Sequence, residues 1–184
     1  MPTNNDPNGT PQRIRDNGFA LNYCATTPLE AHAAHSGTCY SLVYNIDPNV
    51  AGDFLYIKNS DDQPLRIYKI NAFTTGTGGA VTIKTGVTGT PTTGIEIVPV
   101  NAFIGSGHAA NGTFNRNTSA ASMALTGGNT FDILNFVGAS ASNTWNFPGE
   151  IGIAKNQTLV LANAVDPTAV MTWVLHFYFH ELID

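Results

Sequence analysis

Residues 168–180 read T-A-V-M-T-W-V-L-H-F-Y-F-H and alternate without a break. Ala169, Met171, Trp173, Leu175, Phe177 and Phe179 fall on one face of an extended chain. Val170, Thr172, Val174, His176, Tyr178 and His180 fall on the other. A two-residue period in aromatic and β-branched residues predicts a strand. The first face is wholly apolar and must cover a core. The second is mixed, which suits a surface that meets another chain.

The same period, more weakly expressed, recurs upstream. Strands are predicted at Cys39–Ile46, Asp53–Asn59, Leu65–Phe73, Ala80–Thr85, Ile95–Val100, Ser122–Leu125, Phe131–Val137 and Thr158–Asn163, with a short one after the Pro148-Gly149 turn. Between them lie Asp47-Pro48-Asn49, the polar loop Asn59–Pro64, a turn at Gly127-Gly128-Asn129 and Gly/Thr-rich stretches, all turn formers. In Leu65–Phe73 the apolar residues are split between both faces. Pro99 lacks a ladder donor and places its strand at a sheet edge or bulge. Many short strands with no intervening helices predict an all-β sandwich or barrel and exclude a parallel α/β fold.

The stretch before the strands differs. Residues 1–18 hold three Pro, two Gly, four Asn and two Asp, with Ile14 almost alone among polar neighbours. They read as an extended N-terminal arm whose Arg13 and Arg15 are placed to pair with a neighbour's carboxylates. Residues 19–184 form one sandwich domain, since no linker divides them. Thr27-Pro28-Leu29-Glu30 carries a helix cap, a proline at the first helical position and a capping-box glutamate. It predicts a short helix over about 28–36, which Gly37 ends. That helix separates Cys24 from Cys39, and two thiols are expected rather than a disulfide.

Composition narrows the function. Charged residues make up 11% of the chain and the formal net charge is −5. The eight Lys and Arg are scattered, so the clustered cations that track phosphates are missing and no nucleic-acid partner is expected. No apolar run approaches the ~20 residues of a membrane span. The polar start, Met1-Pro-Thr-Asn-Asn, lacks the apolar core of a signal peptide. Synthesis and assembly in a cytoplasm are therefore expected.

Catalytic signatures do not emerge. His32 and His35 share a helix face but find one local acid, Glu30, and no third ligand. His176 and His180 lie about 13 Å apart on a strand and cannot chelate one ion within a chain. No G-x-S-x-G, zinc-protease or phosphate-loop pattern is present. No cofactor, metal or enzymatic activity is expected. Trp145, beside Asn143 and Asn146 in a loop, is the aromatic most suited to stacking on a sugar. Its presence keeps a receptor- or carbohydrate-binding module as the alternative function.

Three stretches carry a resemblance: D-F-L-Y-I-K-N-S-D-D-Q-P-L-R-I-Y-K-I at Asp53–Ile70, F-P-G-E-I-G-I-A-K-N-Q-T-L-V at Phe147–Val160, and the aromatic terminal strand. In texture the chain resembles the small jelly-roll virion proteins of tailed bacteriophages that decorate or cement the head, or serve as fibre parts. The resemblance implies a jelly-roll sandwich and a non-enzymatic virion subunit. It also implies a homo-oligomer, often a trimer, bound to the major capsid protein or other virion proteins. It carries over no functional residues. The contact residues expected from the strand pattern and the arm are Arg13, Arg15, Val174, His176, Tyr178 and His180.

Overall fold

The computed structural model describes residues 4–5, 11–12, 37–46, 51–76, 79–117, 123, 125–136, 142–163 and 170–179. The N-terminal arm is represented by a two-residue ladder, β1 (Asn4–Asn5) with β2 (Pro11–Gln12). Arg13, Arg15, the expected helix over 28–36, Cys24 and His180 lie outside the described residues.

The rest is an antiparallel β-sandwich. Its strands are β3 (Cys39–Ile46), β4 (Gly52–Asn59), β5 (Leu65–Thr74), β6 (Ala80–Thr88), β7 (Ile95–Glu96), β8 (Val100–Asn101), β9 (Gly112–Arg116), β10 (Thr126–Asn135), β11 (Ser142–Ile153), β12 (Thr158–Asn163) and β13 (Met171–Phe179). One sheet has the order β10-β6-β12-β4-β9-β7 and the other β11-β5-β13-β3-β8. The described residues contain no helix.

Strand β13 lies inside its sheet, between β3 and β5. Its apolar residues Met171, Trp173, Leu175, Phe177 and Phe179 are all buried. They meet inward rows from both sheets: Tyr40, Leu42, Tyr44 and Ile46 of β3, Phe54 and Ile57 of β4, Leu159 and Leu161 of β12. Aromatic rings bridge the layers. Phe54 lies 5.4 Å from Trp173, and Phe114 stacks on Phe177 at 5.4 Å.

Two departures from strict alternation set the sides of the sheets. In β5 the pairing with β13 slips between His176/Lys69 and Phe177/Ile67, which leaves Tyr68 as an extra residue. A bulge of this kind reverses the facing of all that follows. Leu65 and Ile67 therefore point inward before it and Ile70 and Ala72 after it, all four buried, so the split of apolar residues over both nominal faces disappears. In β6, Ile83 belongs to the main core while Val87 joins Tyr56, Val160 and Met123 on the outer side of the six-stranded sheet. Four residues apart, they should share a face. Gly86 lies between them with φ 68°, a conformation that glycine adopts without strain.

Four sequence expectations change. Ile95–Val100 is no continuous strand: β7 pairs with β9 in one sheet and β8 with β3 in the other. The chain crosses between the layers at Pro99, where the missing N–H suits a break. The Gly127-Gly128 turn is instead part of β10, with φ of 71° and 91°. Strand β9 was not expected, because Phe114 is its sole apolar residue and it shows no alternation. Of the strand expected over 122–125, Met123 and Leu125 pack against the outer face of the six-stranded sheet.

Asn59 ties one end of the sandwich together. It is fully buried. Its Nδ2 donates to the carbonyls of Gln63 and Ile153, 2.9 Å each, and its Oδ1 accepts the Asp61 N–H at 2.9 Å. Its backbone N–H donates to Gln157 at 3.2 Å, and its carbonyl accepts Asn156 N–H at 2.8 Å. One side chain thus joins the β4–β5 loop to the end of β11, while its main chain holds the β11–β12 turn.

Candidate functional site: the outer face of the five-stranded sheet

The outer face of β11-β5-β13-β3 carries the mixed side of the terminal strand. Register aligns Val43, Val174, Asn71 and Thr144 in one row across four strands, and Asn45, Thr172, Phe73 and Ser142 in the next. Val43 is 55% exposed, and Phe73 and Val170 are also largely open. Val174 and His176 are half-buried. An exposed set of apolar side chains spread over three strands of one sheet face is the feature expected of an interaction surface.

Beside this patch lies a network of polar and aromatic groups. Thr144 Oγ1 donates to Asn71 Oδ1 at 2.9 Å, which turns the Asn71 amide nitrogen toward His176 Nε2 at 3.3 Å. Nε2 therefore accepts, as the neutral imidazole does. The His176 ring lies 6.0 Å from Tyr68, which in turn lies 6.0 Å from Tyr178. Tyr178 donates its hydroxyl to Glu150 Oε1, and Arg66 approaches Glu150 Oε2 at 3.5 Å. The Tyr68 hydroxyl is 3.8 Å from Cys39 Sγ.

Two opposed bulges build this network. Opposite Tyr68 in β5, the pairing of β11 jumps from Asn146 to Ile151, so Phe147–Glu150 stand out of the ladder. Glu150 takes φ 52°, a left-handed backbone that non-glycine residues adopt at a cost of about 1–3 kcal/mol. The Pro148-Gly149 turn seen in the sequence is this excursion, inside a strand running from Ser142 to Ile153.

The expected contact residues now separate. Val174 and His176 face outward on this surface. Tyr178 is fully buried, so its ring cannot serve a partner; it anchors Glu150 instead. Trp145 belongs to β11, not to a loop. It stacks on Trp173 at 6.3 Å and meets Phe136 edge-on at 5.5 Å, so one of its faces is already covered by the core. Val43, Phe73, Arg66, Tyr68 and Glu150 were not singled out by sequence reasoning. For Arg66, Tyr68 and Phe73 the mixed parity of β5 is the only signal. Among the described residues, no group of three or more His, Cys, Asp or Glu could hold a metal ion.

Burial, and secondarily the charge of Lys69, lowers the His176 pKa below its usual value. The unfolded chain therefore takes up the proton first as pH falls below about 6.5, and stability drops over the window between the unfolded and the depressed folded value. Above that window the imidazole is neutral in both states and the contribution is constant. The urea midpoint should decline from pH 7 to pH 5.5, and the decline should be smaller in His176→Asn. An equal decline in both proteins would show that another group titrates.

No family model, no curated protein and no solved structure matches the chain.

Proposed function

We propose that the sandwich is a jelly roll and that the protein is a virion structural subunit, a decoration or cement protein of a tailed-phage head. The strand order carries this reading. Take the eight strands of six or more residues in chain order: β3, β4, β5, β6, β10, β11, β12 and β13. The first neighbours the eighth, the eighth the third and the third the sixth; in the other sheet the second neighbours the seventh, the seventh the fourth and the fourth the fifth. Such a double-sheet arrangement recurs in capsid domains, and also in lectins and cupins. The near-neutral surface, with 11% charged residues, and the exposed apolar side chains Val43 and Phe73 on the outer sheet face favour a subunit that packs against neighbours over a freely diffusing enzyme.

In this role the protein forms a homo-oligomer, a trimer by the family resemblance, and Val43, Val174 and Phe73 supply a contact between subunits or with the shell. Binding to the assembled lattice stabilises it, because the subunit's site exists only there. Residues 1–18 extend the contact to a neighbour.

Native mass spectrometry and binding to purified heads test the proposal. The double variant Val43→Lys/Val174→Lys should run as a monomer and fail to bind heads. Its unfolding free energy should stay within about 0.5–1 kcal/mol of wild type, since both positions are at or near the surface. Deleting residues 1–18 should weaken head binding with an unchanged thermal midpoint. A wild-type monomer with no affinity for heads would sink the reading.

A further inference from the structure

A second feature adjoins the outer-face network, with which it shares Glu150. At the side of the sandwich where β10 and β11 end their sheets, the layers part and leave a cleft of about 420 Å³. Small-molecule sites are typically about 300–1,000 Å³. Phe131, Asn129, Thr85, Gln157, Ile153 and Glu150 contribute to its lining. We propose that this cleft binds an uncharged saccharide of one or two rings.

The chemistry of the lining decides the ligand class. No Lys, Arg or His borders the cleft, so nothing there recompenses a phosphate, sulfate or carboxylate for lost hydration. Its one ionisable group, Glu150, already meets the Tyr178 hydroxyl and the Arg66 guanidinium. What remains is the amides of Asn129 and Gln157 and the Thr85 hydroxyl, which donate and accept alike; the Thr158 hydroxyl already donates to the Val87 carbonyl at 2.7 Å. An apolar ligand would desolvate these groups without replacing their hydrogen bonds. Sugar hydroxyls replace them.

Phe131 adds the second element of sugar recognition. It is 54% exposed, at the pairing slip between Thr130 and Asp132 in β10. A bulge of this kind re-aims a side chain, and here it leaves a large apolar ring at the cleft instead of in the core. The C–H face of a pyranose packs on such a ring. Gly86 also borders the cleft. Nothing lies within 4 Å of where a Cβ would stand on it, so its backbone is open to close approach. The site is independent of the assembly role, and either can fail alone.

The test uses the full chain and saturation-transfer NMR with lactose, maltose, cellobiose and di-N-acetylchitobiose, and sialyllactose as the anionic comparison. At least one neutral sugar should receive saturation and titrate to a plateau. Phe131→Ala should weaken that binding by about threefold to tenfold, the range of one lost ring contact. Asn129→Ala, also on an exposed position, should weaken it too, and both variants should keep the wild-type thermal midpoint. If Phe131→Ala does not fold, Asn129→Ala carries the test. Absence of transfer to every neutral sugar would overturn the proposal. So would stronger binding of sialyllactose, or wild-type affinity in the variants that fold.

Discussion

Trp173→Ala is expected to remove about 3–5 kcal/mol of unfolding free energy, the range for truncating a buried aromatic. Trp173 has no exposed surface. It touches Phe54 of the opposite sheet at 5.4 Å, Phe136 at 5.8 Å and Trp145 at 6.3 Å. Truncation therefore opens a void under three rings from separate parts of the chain, and a close-packed interior relaxes only partly into such a space. Small domains are stable by about 5–15 kcal/mol, so the variant should unfold at a much lower urea concentration or not fold at all. Trp173→Phe keeps a ring in the layer and should lose clearly less. Equal losses in the two variants would show that the indole's size is not what matters.

The second large effect concerns a polar residue. Asn59→Leu keeps the volume close but deletes three hydrogen bonds, those to Gln63, Ile153 and Asp61. The bond to the Ile153 carbonyl is buried. A typical bond contributes about 0.5–1.5 kcal/mol, and an unsatisfied buried group costs about 1–3. A loss of about 3 kcal/mol is expected, read from equilibrium urea unfolding. Hydrogen exchange should also quicken at Asp61, Gln157 and Asn156, which mark the junction that Asn59 holds. Unchanged exchange there would mean that the loop and the turn do not depend on this side chain.

These two residues show what the sequence disclosed and what it hid. Trp173 announces itself: a long uninterrupted alternation leaves one possible facing, and the core wall follows from it. Asn59 does not. In sequence it opens a polar loop, N-S-D-D-Q-P, and its burial depends on Ile153 and Gln157, which only the folded chain brings to it. The outer face behaves likewise. Val174 and His176 could be placed from parity alone. The bulge at Tyr68 and the excursion at Phe147–Glu150 could not, because each shifts the register and neither leaves a composition signal beyond Pro-Gly. Tyr178 reads as a contact residue for the same reason: the carboxylate that its hydroxyl meets comes from a strand whose local geometry the pattern does not encode. Trp145, flanked by Asn, reads as a loop residue until β11 carries it across the break to Trp173.

The place of β13 between β3 and β5 has a kinetic consequence. Of the described strands it is synthesised last, yet it occupies an interior position in its sheet. While the nascent chain lacks it, β3 and β5 each present an unpaired edge, and Phe54 and Phe114 of the facing sheet lack the rings they pack on. Closure of the sandwich must therefore follow translation of the final strand, and its contacts span most of the chain, as in slow-folding β proteins. Yield in the cell will be governed by how long those two edges stay open, so lower expression temperature or added chaperone capacity should raise the soluble fraction more than any surface substitution.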